Sequence, residues 1–167
     1  SSFLTDGGSA GLFMTERKAK ELGLTPKAEI VDFCFTGQEL EEELLLGPAF
    51  ATAKLLNKTG MKLEEIDVIE FHEAFAGQIL ANIKCLASDE FATEKLGRDS
   101  AVGVIDMNKF NLWGGSLSIG HPFGATGMRL INTAANRLHH EKGKYALLAA
   151  CAAGAHGHAM LMKKYEA

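Results

Sequence analysis

Residues 145–162 read YALLAACAAGAHGHAMLM, and this stretch says most about the fold. Residues 145–151 form an apolar run of the length and composition typical of a buried strand. Residues 158–162 form a second run, and only small residues and one histidine lie between the two. The sequence therefore predicts two central strands that pair antiparallel through a tight turn.

Upstream of this pair, strand patterns alternate with helix patterns. The predicted strands are 8–14, 28–35 and 67–71, with a short strand and turn within 110–118. The predicted helices are 15–22, 48–59, 73–87, 89–96 and 122–140. Such alternation predicts a layered α/β domain with a mixed β-sheet and helices on both faces.

Composition limits the classes of protein to which this chain can belong. The chain has 167 residues, of which 47% are hydrophobic, enough for one sizeable core. Its formal net charge is -4 and it has no run of Lys or Arg, so we expect no nucleic-acid partner. The cysteines are odd in number and form no CxxC pair, which disfavours a zinc ribbon and favours a reducing compartment.

The first segment that can carry chemistry is GGSLSIGHPFGATG at residues 114–127. Its glycines permit tight turns, and His121 stands directly before Pro122, which predicts a position near the N-cap of the long helix. A histidine held there can accept a proton from a thiol near neutral pH. A structural histidine in a glycine turn is the alternative.

The second segment follows the apolar strand and reads CAAGAHGH at residues 151–158. A cysteine at a strand end can be a small core residue or a proton shuttle at the sheet edge. Small residues after it leave backbone N–H groups free to form an oxyanion hole. His156 and His158 lack the further ligands of a metal site, so we predict no metal.

The third segment is FHEAF at residues 71–75. His72 follows a predicted strand, which places it at the sheet edge where sites of α/β proteins gather. The alternative is a helix-capping segment in which Phe75 packs into the core.

Together the three segments resemble the signatures of the thiolase family. GHPFGATG resembles GHPxGxxG, CAAGAHGHAM resembles CxGxGxG, and HEAF resembles the NEAF segment in a variant that begins with His. The opening SSFLTDGGSA resembles the stretch that closes the thiolase N-terminal domain. The resemblance implies that residues 1–26 end that domain and that residues 27–167 form the thiolase C-terminal domain.

The resemblance also implies a role for each site residue. His121 would activate the nucleophilic cysteine, and Cys151 would be the second catalytic cysteine, acting as general acid and base. His72, in place of the usual Asn, would bind the thioester oxygen. The backbone N–H of Ala153 would serve the other oxyanion hole, and Phe75 would line the pocket. The implied reaction is thiolytic cleavage of 3-ketoacyl-CoA in fatty-acid β-oxidation, with coenzyme A as co-substrate and no bound cofactor.

One branch of the family is especially similar, the trifunctional β subunits of mitochondria, on the segments HEAF, NLWGGSLSIGHPFGATG and LLLGPAFATAKLL. That branch implies a mitochondrial homodimer that assembles with an α subunit carrying hydratase and dehydrogenase activities, and it permits peripheral association with a membrane. Besides His72, three positions depart from the family pattern. Ala153 and Ala155 stand where glycine is usual, and Trp113 stands where many members have Asn.

In thiolases the nucleophilic cysteine and most coenzyme A contacts belong to the N-terminal domain and a loop domain inserted there. Cys34 lies in a predicted strand and Cys85 in a predicted helix, and neither has a local activating motif. We therefore expect this sequence to be part of a longer protein and to be catalytically incomplete by itself. The alternatives are a ketosynthase-like condensing enzyme, which would have no need of Cys151, and a non-catalytic assembly module.

Overall fold

The apolar stretch at residues 145–162 forms the centre of the sheet in the computed structural model, which describes residues 1–166. Strand β3 (Tyr145–Ala152) pairs antiparallel with β4 (His156–Lys164), which confirms the predicted pair. Pairing continues as far as Ala152 opposite His156, so only residues 153–155 form the turn. Ala155 takes φ 54° there, a left-handed conformation that glycine adopts more readily.

The other two strands complete a four-stranded mixed sheet in the order β1-β4-β3-β2. Strand β1 (Ala28–Gly37) lies antiparallel to β4, and β2 (Val68–Phe71) lies parallel to β3. Beyond β2, Phe110 makes a single parallel bridge to Ile69. The C-terminal ends of β2 and β3 therefore meet at one edge of the sheet.

Six α-helices occur within the described residues. They are α1 (Glu16–Glu21), α2 (Gly47–Thr59), α3 (Ala76–Leu86), α4 (Asp89–Lys95), α5 (Ser116–Ile119) and α6 (Thr126–His140), and a 3₁₀ turn spans Leu63–Glu65. The structure confirms the predicted helix ends that carry a capping residue. The Thr15 hydroxyl accepts a hydrogen bond from the Lys18 N–H at the start of α1, and Gly60 ends α2 with φ 71°.

Two cores lie on opposite faces of the sheet, which confirms the predicted fold class. On one face α2 and α3 contribute Leu55 and Ile79, which belong to the same cluster as Leu147 of β3. On the other face α6 contributes Leu138, in one cluster with Leu148. Neighbouring residues of β3 thus serve opposite cores, as the two-residue period of a strand requires. Burial of each such side chain stabilises the fold by about 1.5–3 kcal/mol.

A fully buried ion pair connects α6 to β2. The Arg137 Nη1 lies 2.7 Å from the Glu70 Oε1, and both side chains are at most 1% exposed. The same guanidinium donates to the carbonyl of Lys109 and to the carboxylate of Glu141. Its Nε also donates to Glu141 and its Nη1 to the Ile69 carbonyl, so all five N–H groups of the buried cation have an acceptor, as burial of a charge demands.

The strand predicted at residues 8–14 is wrong. This segment lies outside the sheet and contacts α6, where the Asn132 side chain donates to the Ala10 carbonyl. Gly11 faces the Met128 side chain closely enough that a Cβ there would collide with it. The small apolar residues that suggest a strand instead allow the backbone to approach a helix.

Two predicted helices begin later than expected. Helix α3 begins at Ala76 rather than residue 73, and Phe75 is still extended with φ -144° and ψ 146°. Helix α6 begins at Thr126 rather than residue 122, because Gly124 takes φ 81° and interrupts helical geometry. Within the predicted short strand at 110–118 only the Phe110 bridge forms, and residues 116–119 are a helical turn instead.

Candidate active site

A cavity of about 460 Å³ opens at the edge of the sheet where β2 and β3 end. It is lined by every site residue that the sequence predicts, which are His72, Phe75, His121, Cys151 and Ala153. These residues come from three segments that are far apart in the chain. The parallel pairing of β2 and β3 brings two of these segments together, because their carboxyl ends lie side by side.

His72 is held at the end of β2 by its backbone. Its N–H donates to the Ala149 carbonyl of β3 at 2.8 Å, and its side chain is buried. The ring Nδ1 lies 2.9 Å from the Ser116 hydroxyl. Burial, and then the charges of His121 and Arg129, lower the pKa of His72 to about 4. The imidazole is therefore neutral at physiological pH.

His121 lies against His72, with 4.2 Å between the ring centroids. Its backbone N–H donates to the Phe3 carbonyl, and its Nδ1 lies 2.6 Å from the Thr126 hydroxyl. That hydroxyl donates to the Pro122 carbonyl at 3.4 Å, which leaves its lone pairs for Nδ1–H. The Nε2 atom of His121 is then unprotonated and free to accept a proton.

His121 lies shortly before the N-cap of α6 and does not occupy it. Ala125 occupies the N-cap of α6, and Gly124 adds a turn between the histidine and the helix. The imidazole is fixed by contacts with Thr126 and with the N-terminal segment rather than by the start of the helix. Burial, and then the charge of Arg129, lower the pKa of His121, so a neutral ring is favoured here as well.

The loop that follows His72 is fixed by an asparagine that the sequence analysis does not single out. Asn111 takes φ 47° and exchanges hydrogen bonds with both backbone groups of Phe71. Its Nδ2 also donates to the Glu73 carboxylate, which in turn accepts from the Leu117 N–H. Asparagine tolerates the left-handed conformation better than most residues, and its place before a Trp-Gly-Gly turn was the available signal.

Cys151 lies near the end of β3 and is almost fully buried. Burial raises the pKa of its thiol, so the protonated form dominates at neutral pH. Cys34 and Cys85 do not line the cavity, and burial raises their pKa values as well. Neither has the lowered pKa that marks a reactive nucleophile, in agreement with the sequence analysis.

The remaining predicted residues differ in exposure. Phe75 is 45% exposed and faces the cavity, so it is not the core residue of the alternative interpretation. Ala153 is exposed in the turn after β3. In the part of the chain that the structure describes, no three His, Cys, Asp or Glu side chains cluster as a metal site would require. No helix among residues 1–166 has the length and apolar character needed to cross a membrane.

Comparison with known proteins shows the family to which this chain belongs. Residues 24–164 match the model of the thiolase C-terminal domain. The chain belongs to the thiolase family. It is 58% identical over 165 residues to the mitochondrial trifunctional enzyme subunit beta of Bos taurus, covering 99% of this chain and 35% of that protein. A probable 3-ketoacyl-CoA thiolase of Caenorhabditis elegans is 54% identical, over 98% of this chain and 37% of that protein.

Solved structures agree with this assignment. Human mitochondrial 3-ketoacyl-CoA thiolase in complex with CoA superposes with a TM-score of 0.75 at 30% identity. That superposition covers 90% of this chain and 34% of the human one. The thiolase chain thus spans about a third of the length of the relatives that it matches.

Proposed function

We propose that this chain forms the acid–base and oxyanion part of the active site of a 3-ketoacyl-CoA thiolase. The enzyme would cleave 3-ketoacyl-CoA with coenzyme A into acetyl-CoA and a shortened acyl-CoA. The observation that carries the proposal is the convergence of His72, His121 and Cys151 on one cavity. Residues 1–26 would end an N-terminal thiolase domain, and residues 27–167 would form the C-terminal domain.

His121 is the general base in this proposal. Its unprotonated Nε2 accepts the proton of the nucleophilic cysteine, which thiolases carry in their N-terminal domain. The thiolate then attacks the 3-keto carbon, and the bond between C2 and C3 of the substrate breaks. A neutral His121 is required for this step, and burial supports it by lowering the pKa of the imidazole.

Cys151 is the general acid. The electron pair of the broken bond stays on C2 of the departing acetyl-CoA, and the Cys151 thiol supplies the proton for that carbon. Burial supports this role because it raises the pKa of the thiol and keeps the proton in place until the carbanion forms. Coenzyme A then takes the acyl group from the nucleophilic cysteine.

Two groups stabilise oxyanions. The neutral imidazole of His72 binds the thioester oxygen, whose negative charge grows as C2 gains electron density. The Ala153 N–H serves the oxyanion formed at the 3-keto carbon, and Phe75 lines the substrate cavity. Preorganised donors of this kind contribute about 3–4 kcal/mol each to transition-state stabilisation.

The names of the relatives support a proposal for partners and location. The cited Bos taurus relative is named a mitochondrial trifunctional enzyme subunit beta, and the cited human structure holds CoA. We infer a mitochondrial enzyme that uses acyl-CoA and coenzyme A as substrates. The inferred assembly is a homodimer that joins an α subunit with hydratase and dehydrogenase activities.

The test uses the protein in which this chain is joined to its N-terminal thiolase domain. Cys151→Ala should lower thiolysis of a 3-ketoacyl-CoA by about 10²–10⁴-fold, because no other cysteine of this chain lines the cavity and the nucleophilic cysteine is occupied by the acyl group when C2 needs its proton. Cys85→Ala is the matched control and should retain turnover, since that residue lies away from the cavity. Normal turnover in Cys151→Ala would overturn its role. Condensation with malonyl thioester in place of thiolysis would identify a ketosynthase, and absence of any acyl-enzyme would favour an assembly module.

A further inference from the structure

Arg129 reaches from the first turn of α6 to the segment between the two imidazoles. Its Nη2 donates to the Ser116 hydroxyl at 2.8 Å, and its Nη1 donates to the Gly120 carbonyl at 2.8 Å. Burial lowers the pKa of this guanidinium, and the charges of Glu70 and Glu73 oppose that effect. Both hydrogen bonds go to neutral acceptors beside the cavity.

The hydrogen bond at Ser116 determines which way its own proton points. A guanidinium has only donors, so the Ser116 oxygen must accept from Arg129. Ser116 is fully buried, and the other hydrogen-bond partner of its hydroxyl is the Nδ1 of His72 at 2.9 Å. The hydroxyl proton is satisfied only if it is donated to that nitrogen, because a buried donor without an acceptor is costly. Nδ1 of His72 is then an acceptor, and the ring proton lies on Nε2.

We propose that Arg129 and Ser116 are positioning residues that hold His72 in its Nε2–H tautomer, so that the ring presents an N–H donor to the cavity. The inference rests on the proposed function only for the identity of the oxyanion that this donor meets. The relay from Arg129 through Ser116 to His72 is called the Arg–Ser–His relay below.

The relay keeps the two neighbouring imidazoles in opposite tautomers. Thr126 draws the proton of His121 to Nδ1, whereas the Arg–Ser–His relay draws the proton of His72 to Nε2. The ring centroids are 4.2 Å apart, and Cys151 lines the same cavity. Without the relay, His72 could also present an unprotonated Nε2 beside the general base. The second bond of Arg129, to the Gly120 carbonyl, fixes the peptide that leads into His121.

The test is nitrogen NMR of the protein in which this chain is joined to its N-terminal thiolase domain, labelled with ¹⁵N-histidine and recorded at neutral pH. The His72 signals are assigned by their loss in His72→Asn. In the wild type we expect an unprotonated, hydrogen-bonded Nδ1 and a protonated Nε2. Ser116→Ala should shift the Nδ1 signal toward that of a nitrogen without a hydrogen bond. Arg129→Met should shift it toward partial protonation, because the freed serine oxygen can then accept Nδ1–H.

Ser118→Ala is the matched control, since its hydroxyl donates to the Gly115 carbonyl and contacts neither imidazole. It should leave the His72 signals unchanged. A protonated Nδ1 in the wild type overturns the proposal, and so does a His72 spectrum that is the same in Ser116→Ala as in the wild type. If Arg129→Met fails to fold, Ser116→Ala decides, because it removes a single oxygen atom.

A kinetic measurement on the intact enzyme separates this inference from the proposed function. Ser116→Ala should lower kcat more than it raises KM, because the donor acts on charge that develops during the reaction. Loss of the tautomer signature together with normal thiolysis would refute the positioning role and leave the thiolase assignment intact. The wild-type signature in a protein without thiolase activity would overturn the assignment and leave the relay intact.

Discussion

Acid sensitivity of the fold should depend on His72 more than on any exposed histidine. Burial and the charges of His121 and Arg129 lower the pKa of this imidazole from 6.5 to about 4 in the folded protein. The unfolded chain therefore takes up the proton at higher pH than the folded chain does. Between pH 6.5 and pH 4 the unfolded state binds more protons, so the free energy of unfolding falls as the pH falls.

The size of the effect follows from the difference between the two pKa values. A lowering from 6.5 to about 4 corresponds to about 3 kcal/mol of stability that is present at pH 7 and lost by pH 4. His72→Asn removes the titrating group and keeps an amide donor at the same place. Between pH 7 and pH 4 the free energy of unfolding of the variant should fall by about 3 kcal/mol less than that of the wild type. Carboxylates that titrate in this range affect both proteins alike and do not change this difference.

The measurement is urea unfolding of both proteins at several pH values from 7 to 4, with His156→Asn as a matched control. His156 is exposed at the start of β4, so that variant should follow the wild-type curve. Parallel curves for the wild type and His72→Asn would refute the reasoning, because they would mean that the buried imidazole takes up its proton without a folding penalty.

Three further changes test the core, the turn and the base. Arg137→Met should destabilise the fold by about 3–5 kcal/mol in urea unfolding, because it leaves the Glu70 carboxylate buried without its partner, and adding Glu70→Leu should restore part of the loss. Gly157→Ala should cost about 1–3 kcal/mol, since its Cβ would collide with the backbone at the start of α2, whereas Gly77→Ala has open space and should not destabilise. Thr126→Val should lower kcat of the intact enzyme about tenfold, because the imidazole it orients loses the acceptor for Nδ1–H; an unchanged kcat would exclude that orienting role.

Local sequence chemistry accounts for much of the fold. Thr15, Gly60 and the apolar run before Cys151 each act within a few residues, so the elements that they begin or end are predictable. The segment at 8–14 was not, because Gly11 serves a contact with Met128, which lies more than a hundred residues away in the chain. A pattern of small apolar residues does not distinguish a strand from a backbone that packs against a helix.

The candidate site also contains residues that are predictable from local sequence and residues that are not. His72, His121 and Cys151 carry recognisable chemistry in short motifs, and the pairing of β2 with β3 accounts for the meeting of His72 and Cys151. Asn111 and Arg129 lie outside any chemical motif, and their roles depend on contacts with distant segments. Apart from the Trp-Gly-Gly turn that follows Asn111, nothing in their local sequence distinguishes them from surface polar residues, so their roles become visible only in the three-dimensional arrangement.

The histidine at position 72 changes what the surrounding residues must do. An asparagine amide has a fixed donor, whereas a neutral imidazole has one donor and one acceptor whose places can exchange. A histidine can therefore replace the amide as an oxyanion donor only where a neighbour assigns its proton. Ser116 meets that need, and it does so because Arg129 occupies its oxygen. The same guanidinium opposes protonation of the ring, so the replacement keeps a neutral donor beside the base His121.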